Sequence, residues 1–201
     1  MRKLFHRTSK RTDRTSEAQG VMRSLARARS FLVDRKGIAA TEFALIAPFM
    51  IALWLGSIEL SQAVSIDRKV SHASSALADL VTQQSNLTAA EVDDIMDATV
   101  AILQPYDVTN LSIEMVGLRI NASRDVTVEW SCARNRGRPG VGGSYTVPGT
   151  LLQPDTFLVA AQLFYNHTPT TTSVITGSIT LSDAFYLRPR RSSTITAPGC
   201  V

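Results

Sequence analysis

The chain is poor in the side chains that bind metals or carry nucleophiles: two cysteines and three histidines in 201 residues. Two thiols are too few for a structural zinc site, and His6, His72 and His167 show no ligand spacing. None of these histidines stands beside a Ser or Cys in a recognisable nucleophile setting, and no Walker-type lysine follows the glycine-rich stretch near residue 140. The sequence therefore offers no catalytic residues, no metal, no cofactor and no small-molecule substrate, and is not read as an enzyme. Charge is scarce too between Ile38 and Ile58, where IAATEFALIAPFMIALWLGSI carries one acid, Glu42, and nothing else ionisable. Such a run fits the roughly 20 residues that cross hydrocarbon as a helix. It is too long, and starts too late, to be the core of a secretory signal peptide.

The charge that is present is unevenly placed. Residues 1–37 hold eleven Lys/Arg against three acids, a net +8, while the remainder holds ten against fourteen, a net −4. A basic tail can bind nucleic acid, but one that ends at an apolar span reads as a topology signal holding that end in the cytoplasm. The expected organisation is a basic cytoplasmic leader (1–37), a single transmembrane helix (38–58), its amphipathic continuation (59–84) and a periplasmic domain (85–201), with no nucleic-acid partner.

Past Glu59 the sequence LSQAVSIDRKVSHASSALADLVTQQ has no Gly or Pro, and Leu60, Ala63, Val64, Val70, Ala73, Leu77, Leu80 and Val81 recur at helical spacing. One helix from about Ile38 to Gln84 is expected, on the order of 70 Å long. A second helix starts at Thr88, which with Glu91 forms a capping-box pattern. It buries Val92, Ile95, Met96, Thr99, Val100 and Leu103 and ends at Pro105, leaving Glu91, Asp93, Asp94 and Asp97 as exposed acids or a calcium site. From Leu111 the period changes to two. Leu111, Ile113 and Met115 form one strand and Val126, Val128 and Trp130 the next, joined by the turn RINASRD. A Gly/Pro-rich loop, NRGRPGVGGSYTVPG, precedes a buried strand TFLVAAQLFYNH and three shorter ones, TSVITGSITL, AFYLRP and SSTITA. Trp130 and Tyr165 are core candidates. Helices first and strands after give an α+β fold: a long N-terminal transmembrane helix continuing into a small domain with a second helix and an antiparallel sheet. In an oxidising compartment Cys132 and Cys200 can form one disulfide, worth roughly 4 kcal/mol of loop entropy; the alternative is two separate buried thiols.

Glu42 is the anomaly. A carboxylate in mid-membrane costs about 2.5–3.5 kcal/mol on insertion scales. It can sit close enough to the cytoplasmic face to reach headgroups. Alternatively, a peptidase cut between Gly37 and Ile38 would create a free α-amine, with Glu42 as the fifth residue, one helical turn along. There it suits the helix N-terminus and can pair with its own amine or that of a neighbouring subunit, a pair costly to break in lipid.

The segment KGIAATEFALIAPF resembles the processing site of type IV pilin-like proteins, with Phe43 as the aromatic after the acid. More narrowly, GIAATEFALIAP with GSIELSQA is similar to the N-terminal segment of TadE/TadG-like proteins of the tight-adherence (Tad/Flp) pilus system, at Gly37, Glu42, Phe43, Ala44, Pro48, Gly56 and Glu59. VEWSCARN, VPGTLL, AAQLFYNHTP and FYLRPRRSSTI add weaker agreement. The resemblance implies a pilin-like architecture and a minor pilin-like subunit of a pilus or secretion apparatus serving adhesion and biofilm formation. It implies cleavage by a prepilin peptidase after Gly37 and assembly through Glu42 and Phe43. Its partners would be that peptidase, other pilin-like subunits, inner-membrane pilus assembly proteins and the bacterial inner membrane. The alternative is an uncleaved single-pass envelope protein of the same system. Glu59, Arg134, Arg136 and Arg138 are the remaining partner-interface candidates; solvated charge is the plain alternative for the arginines, as for Arg188, Arg190 and Arg191.

Overall fold

A computed structural model describes residues 36–169 and 177–200. Most of the basic leader, and residues 172–176 of the first short strand expected near the C-terminus, lie outside the described residues. The chain divides into two compact units, Met1–Leu53 and Trp54–Val201.

In the first unit the described residues are the opening part of helix α1, Lys36–Thr82. Every residue from 37 to 53 is exposed except half-buried Ala47, with Phe43, Leu45, Phe49 and Leu53 each about 70% accessible. An apolar helix surface with no protein cover is what lipid would solvate, and α1 is long and apolar enough to cross a membrane. The helix runs on through Pro48, whose missing N–H removes one backbone bond. Near its start the Thr41 hydroxyl donates to the Ile38 carbonyl at 2.8 Å, a local bond that satisfies a polar group in apolar surroundings.

In the second unit α1 turns one stripe inward. Glu59, Ile66, Val70, Ala73, Leu77 and Val81 are buried, whereas Leu60 and Val64, expected on this stripe, are 62% and 43% exposed. The reason is helical phase: Glu59 lies eleven residues, about three turns, before Val70 and so falls on its face, while Leu60 is turned aside. Helix α2, Ala89–Ile102, begins with both halves of a capping box. The Thr88 hydroxyl accepts from the Glu91 N–H at 3.3 Å and the Thr88 N–H donates to the Glu91 carboxylate at 2.8 Å. Donation to the Glu91 carboxylate from the Thr88 N–H and then from the Thr88 hydroxyl, each at 2.8 Å, holds that carboxyl below its ordinary range. Val92, Ile95, Met96 and Thr99 form the buried face, followed by Leu103.

Four antiparallel strands follow: β1 (Leu111–Ile120), β2 (Val126–Arg134), β3 (Thr156–His167) and β4 (Ile179–Leu187). They lie in the order β2-β1-β3-β4. This is the α+β class the sequence predicts. β1 and β2 form the expected hairpin, but its register shifts at Gly117/Leu118, so that Gly117 opposes Trp130 and Leu118 opposes Val128. Glu129 is the extra residue. A bulge of this kind reverses the parity of the strand beyond it. Val126, Val128 and Trp130 therefore do not share a face, as simple alternation predicts. Trp130 and Cys132 join the core shared with the helices, with Ile113, Met115, Val159 and Leu163. Val126 and Val128 join Val116, Leu118, Ile120, Leu158 and Ala160 on the opposite face.

That second face is covered by the Gly/Pro-rich segment after β2, through Val147, Tyr145, Leu151 and Leu152. The segment is fastened rather than loose. The Ser131 hydroxyl donates to the Pro139 carbonyl at 2.6 Å, and Val128 exchanges backbone bonds with residues 142 and 143 at 2.8 and 2.9 Å. Near the C-terminus, the expected breaks give one strand, β4, because Ser182–Asp183 is a contact and not a turn. Ser71 of α1 donates to the Asp183 carboxylate at 2.5 Å and Ser74 to its carbonyl at 3.2 Å. Residues 192–197 form no regular strand. Thr196 makes an isolated bridge with Asn86, and Pro198–Cys200 is a 3-10 turn.

Candidate functional site

Within the first unit, Gly37 and Ile38 occupy the opening turn of α1 and are exposed. Beyond its own helix turn and chain neighbours, no atom of the described residues lies within 4 Å of a Cβ placed at Gly37. Glu42 and Phe43 follow about one turn later and are exposed as well. The expected cleavage position Gly37–Ile38, a carboxylate one turn on and an exposed apolar helix surface are thus presented together.

Within the second unit Glu59 lies apart from the three arginine candidates, which line one cleft. Glu59 is 3% exposed on the inward stripe of α1 and belongs to the interior of the unit. Arg134 ends β2 on the helix side of the sheet. Its guanidinium donates to Asp97 at 2.5 Å and Asp93 at 3.3 Å, both on α2. Two of the acids of α2 are thereby committed to an arginine, and Glu91 to the cap. Two residues on, Arg136 reaches the opposite face, where it pairs with Glu114 at 3.1 Å and lies 3.6 Å from the Phe164 ring centroid. Arg138 is exposed farther along the loop. Alternation along the strand end gives Arg134 and Arg136 different partners, yet both, with Arg138, line one cleft.

Glu114 is the residue that sequence reading misses. It is 5% exposed in the middle of β1, and accepts from the Tyr145 hydroxyl at 3.4 Å as well as from Arg136. Burial, and then the Glu114 charge, push the Tyr145 phenol up to about 12. Burial likewise raises Tyr186, with Glu114 as the second cause. The signal was an acid at an inward position of an apolar strand, SIEMV, in a chain whose arginines cluster on a loop that can fold back.

Cys132 and Cys200 are joined as a disulfide, their Cα atoms 4.9 Å apart. The bond lines an open cleft of about 480 Å³ between the start of α2 (Ala89, Val92) and the arginine loop (Arg136, Arg138).

Residues 37–79 match the family model of the TadE-like proteins. The TadE-like match begins at the glycine of the expected cleavage site and takes in Glu42, Phe43, Pro48, Gly56 and Glu59. It ends at Asp79, so the sheet and the C-terminal phrases that resemble such proteins fall outside it. No curated protein and no solved structure matches the chain. A TadE-like segment on an uncovered apolar helix points to a membrane-anchored component of a Tad pilus system.

Proposed function

We propose that this chain is a minor pilin-like subunit, a pseudopilin, of a Tad-type pilus or secretion apparatus. It acts as substrate and building block, not as an enzyme. The basic leader stays in the cytoplasm, α1 crosses the inner membrane, and the α2–sheet unit stands in the periplasm. A prepilin peptidase cuts after Gly37. The new α-amine of Ile38 then lies one turn from Glu42, and the two charges, on the same or on adjacent subunits, offset each other where lipid offers no water. Other pilin-like subunits and the inner-membrane assembly proteins are its partners.

The observation that carries this reading is the TadE-like match starting at Gly37, on a helix whose only acid between Ile38 and Ile58 is Glu42. Mass spectrometry of the protein from cells with and without the peptidase tests it. The expected product begins at Ile38 only when the peptidase is present. A chain that keeps its leader in peptidase-competent cells, while supporting pilus assembly, would overturn cleavage and leave an uncleaved envelope anchor.

A further inference from the structure

Residues 188–200 form a strap that binds the end of α1 to the sheet. The Arg190 N–H donates to the Thr82 carbonyl at 2.9 Å, and the Arg190 guanidinium pairs with Asp79 at 2.5 Å. Farther on, the Leu87 N–H donates to the Thr196 carbonyl at 2.8 Å and the Thr196 N–H to the Ser85 carbonyl at 3.3 Å. Between them Ile195 is fully buried, and its carbonyl accepts from the Trp130 indole N–H at 2.7 Å. The strap then passes so close to α2 that a side chain at Gly199 would come within 2.9 Å of Ala89. It ends at the Cys132–Cys200 bond.

Apart from that bond, the strap is held by a few hydrogen bonds, one ion pair and the buried Ile195 and Ala197. The sheet beneath it is a full antiparallel array that does not include the strap. The disulfide borders an open cleft, and Cys132, at 6% exposed, is less covered than Cys200, at 1%.

We propose that the disulfide is a reducible pin, opened by a dithiol entering this cleft while the sheet stays folded. The dithiol's thiolate attacks the Cys132 sulfur, forming a mixed disulfide and expelling the Cys200 thiolate, which takes up a proton. The second thiol of the reagent, losing its proton, attacks the reagent sulfur of that mixed bond and releases the Cys132 thiolate, which is protonated in turn. The dithiol is oxidised to its disulfide by two electrons and the protein keeps two thiols. With the pin gone, the strap lifts from Ser85–Leu87 and from Trp130, freeing the end of α1 from the sheet.

The test uses the full chain in mild detergent with dithiothreitol as the dithiol. Alkylation and mass measurement count thiols while hydrogen exchange is followed by residue. The expected result is reduction at a rate insensitive to sub-denaturing urea, with exchange at the Leu87 and Thr196 amides faster by more than about tenfold and β1 and β3 unchanged. A rate that rises with urea in step with global unfolding would overturn the proposal. So would loss of protection in β1 and β3 together with the strap, or unchanged protection at Leu87 and Thr196 after reduction. Cys200→Ser, read by the same exchange at Leu87, checks the assignment without reagent.

Discussion

Trp130 lies against the backbone of Gly117 on the adjoining strand, so closely that a Cβ at Gly117 would stand 2.3 Å from the indole Cε2 and Nε1. The absence of a side chain in β1 makes room for the largest one in β2, and the indole N–H reaches the Ile195 carbonyl. Gly117→Ala should therefore destabilise the second unit by about 1–3 kcal/mol through overpacking. Chemical denaturation in detergent, followed by Trp130 emission in a Trp54→Phe background, measures it. Stability equal to the parent would contradict the packing.

The two ion pairs of the sheet should differ in weight. Arg136 faces a Glu114 side chain only 7% exposed, so Arg136→Met strands a buried carboxylate, at a cost of about 3 kcal/mol. Arg119 and Glu129 pair with side chains 45% and 32% exposed, and Arg119→Met should cost less than about 1 kcal/mol. Denaturation midpoints of the two variants, compared side by side, give the ranking.

Alkaline pH should weaken the unit through Tyr145. Its phenol is pushed up to about 12 by burial and then by Glu114, above the roughly 10 of a free tyrosine. The unfolded chain thus ionises first. The stabilisation from the neutral phenol is complete below about pH 10 and is lost as pH rises from there toward 12. Tyr145→Phe should flatten that loss. Stability profiles above about pH 9 that coincide for parent and variant would argue against it.

Deleting Glu129 should remove the bulge and restore simple alternation to β2. With the extra residue gone, Val128 and Trp130 become neighbours on alternating sides, so Gly117 still opposes Trp130, and Trp130 and Cys132 keep the helix side, where Cys132 meets Cys200. The expected readout is no alkylatable thiol without reductant, as in the parent; two free thiols would contradict Glu129 as the bulged residue.

Glu42→Ala tests the assembly reading on its own. The variant should insert and, where the peptidase acts, be cut as the parent is, yet fail to enter the pilus apparatus. Co-purification with the assembly partners from membranes reports this. Undiminished incorporation would leave the acid without a role in subunit contact.

What the sequence made legible follows from local rules. The capping box at Thr88 and Glu91, the period-two runs and the apolar run from Ile38 to Ile58 are each written in neighbouring residues, and each has its counterpart in the structure. What escaped depends on single-residue offsets or distant partners. One extra residue, Glu129, turned Trp130 away from Val128. One position of helical phase put Glu59 inside and Leu60 outside. The burial of Glu114 needed Arg136 and Tyr145 to fold back across the sheet, and Asp183 read as a break because its serine partners lie on a helix more than a hundred residues earlier.

The bond from Arg190 to Thr82 has a consequence for the order of events. Residues that finish the last turn of α1 come after all four strands in the chain, so a nascent or partly exported polypeptide that stops at β4 leaves that turn open. If the sheet unit lies across the bilayer as proposed, its delivery must be essentially complete before that last turn is closed. On that topology the moment of closure is set by the passage of residues 188–200, not by entry of the apolar span.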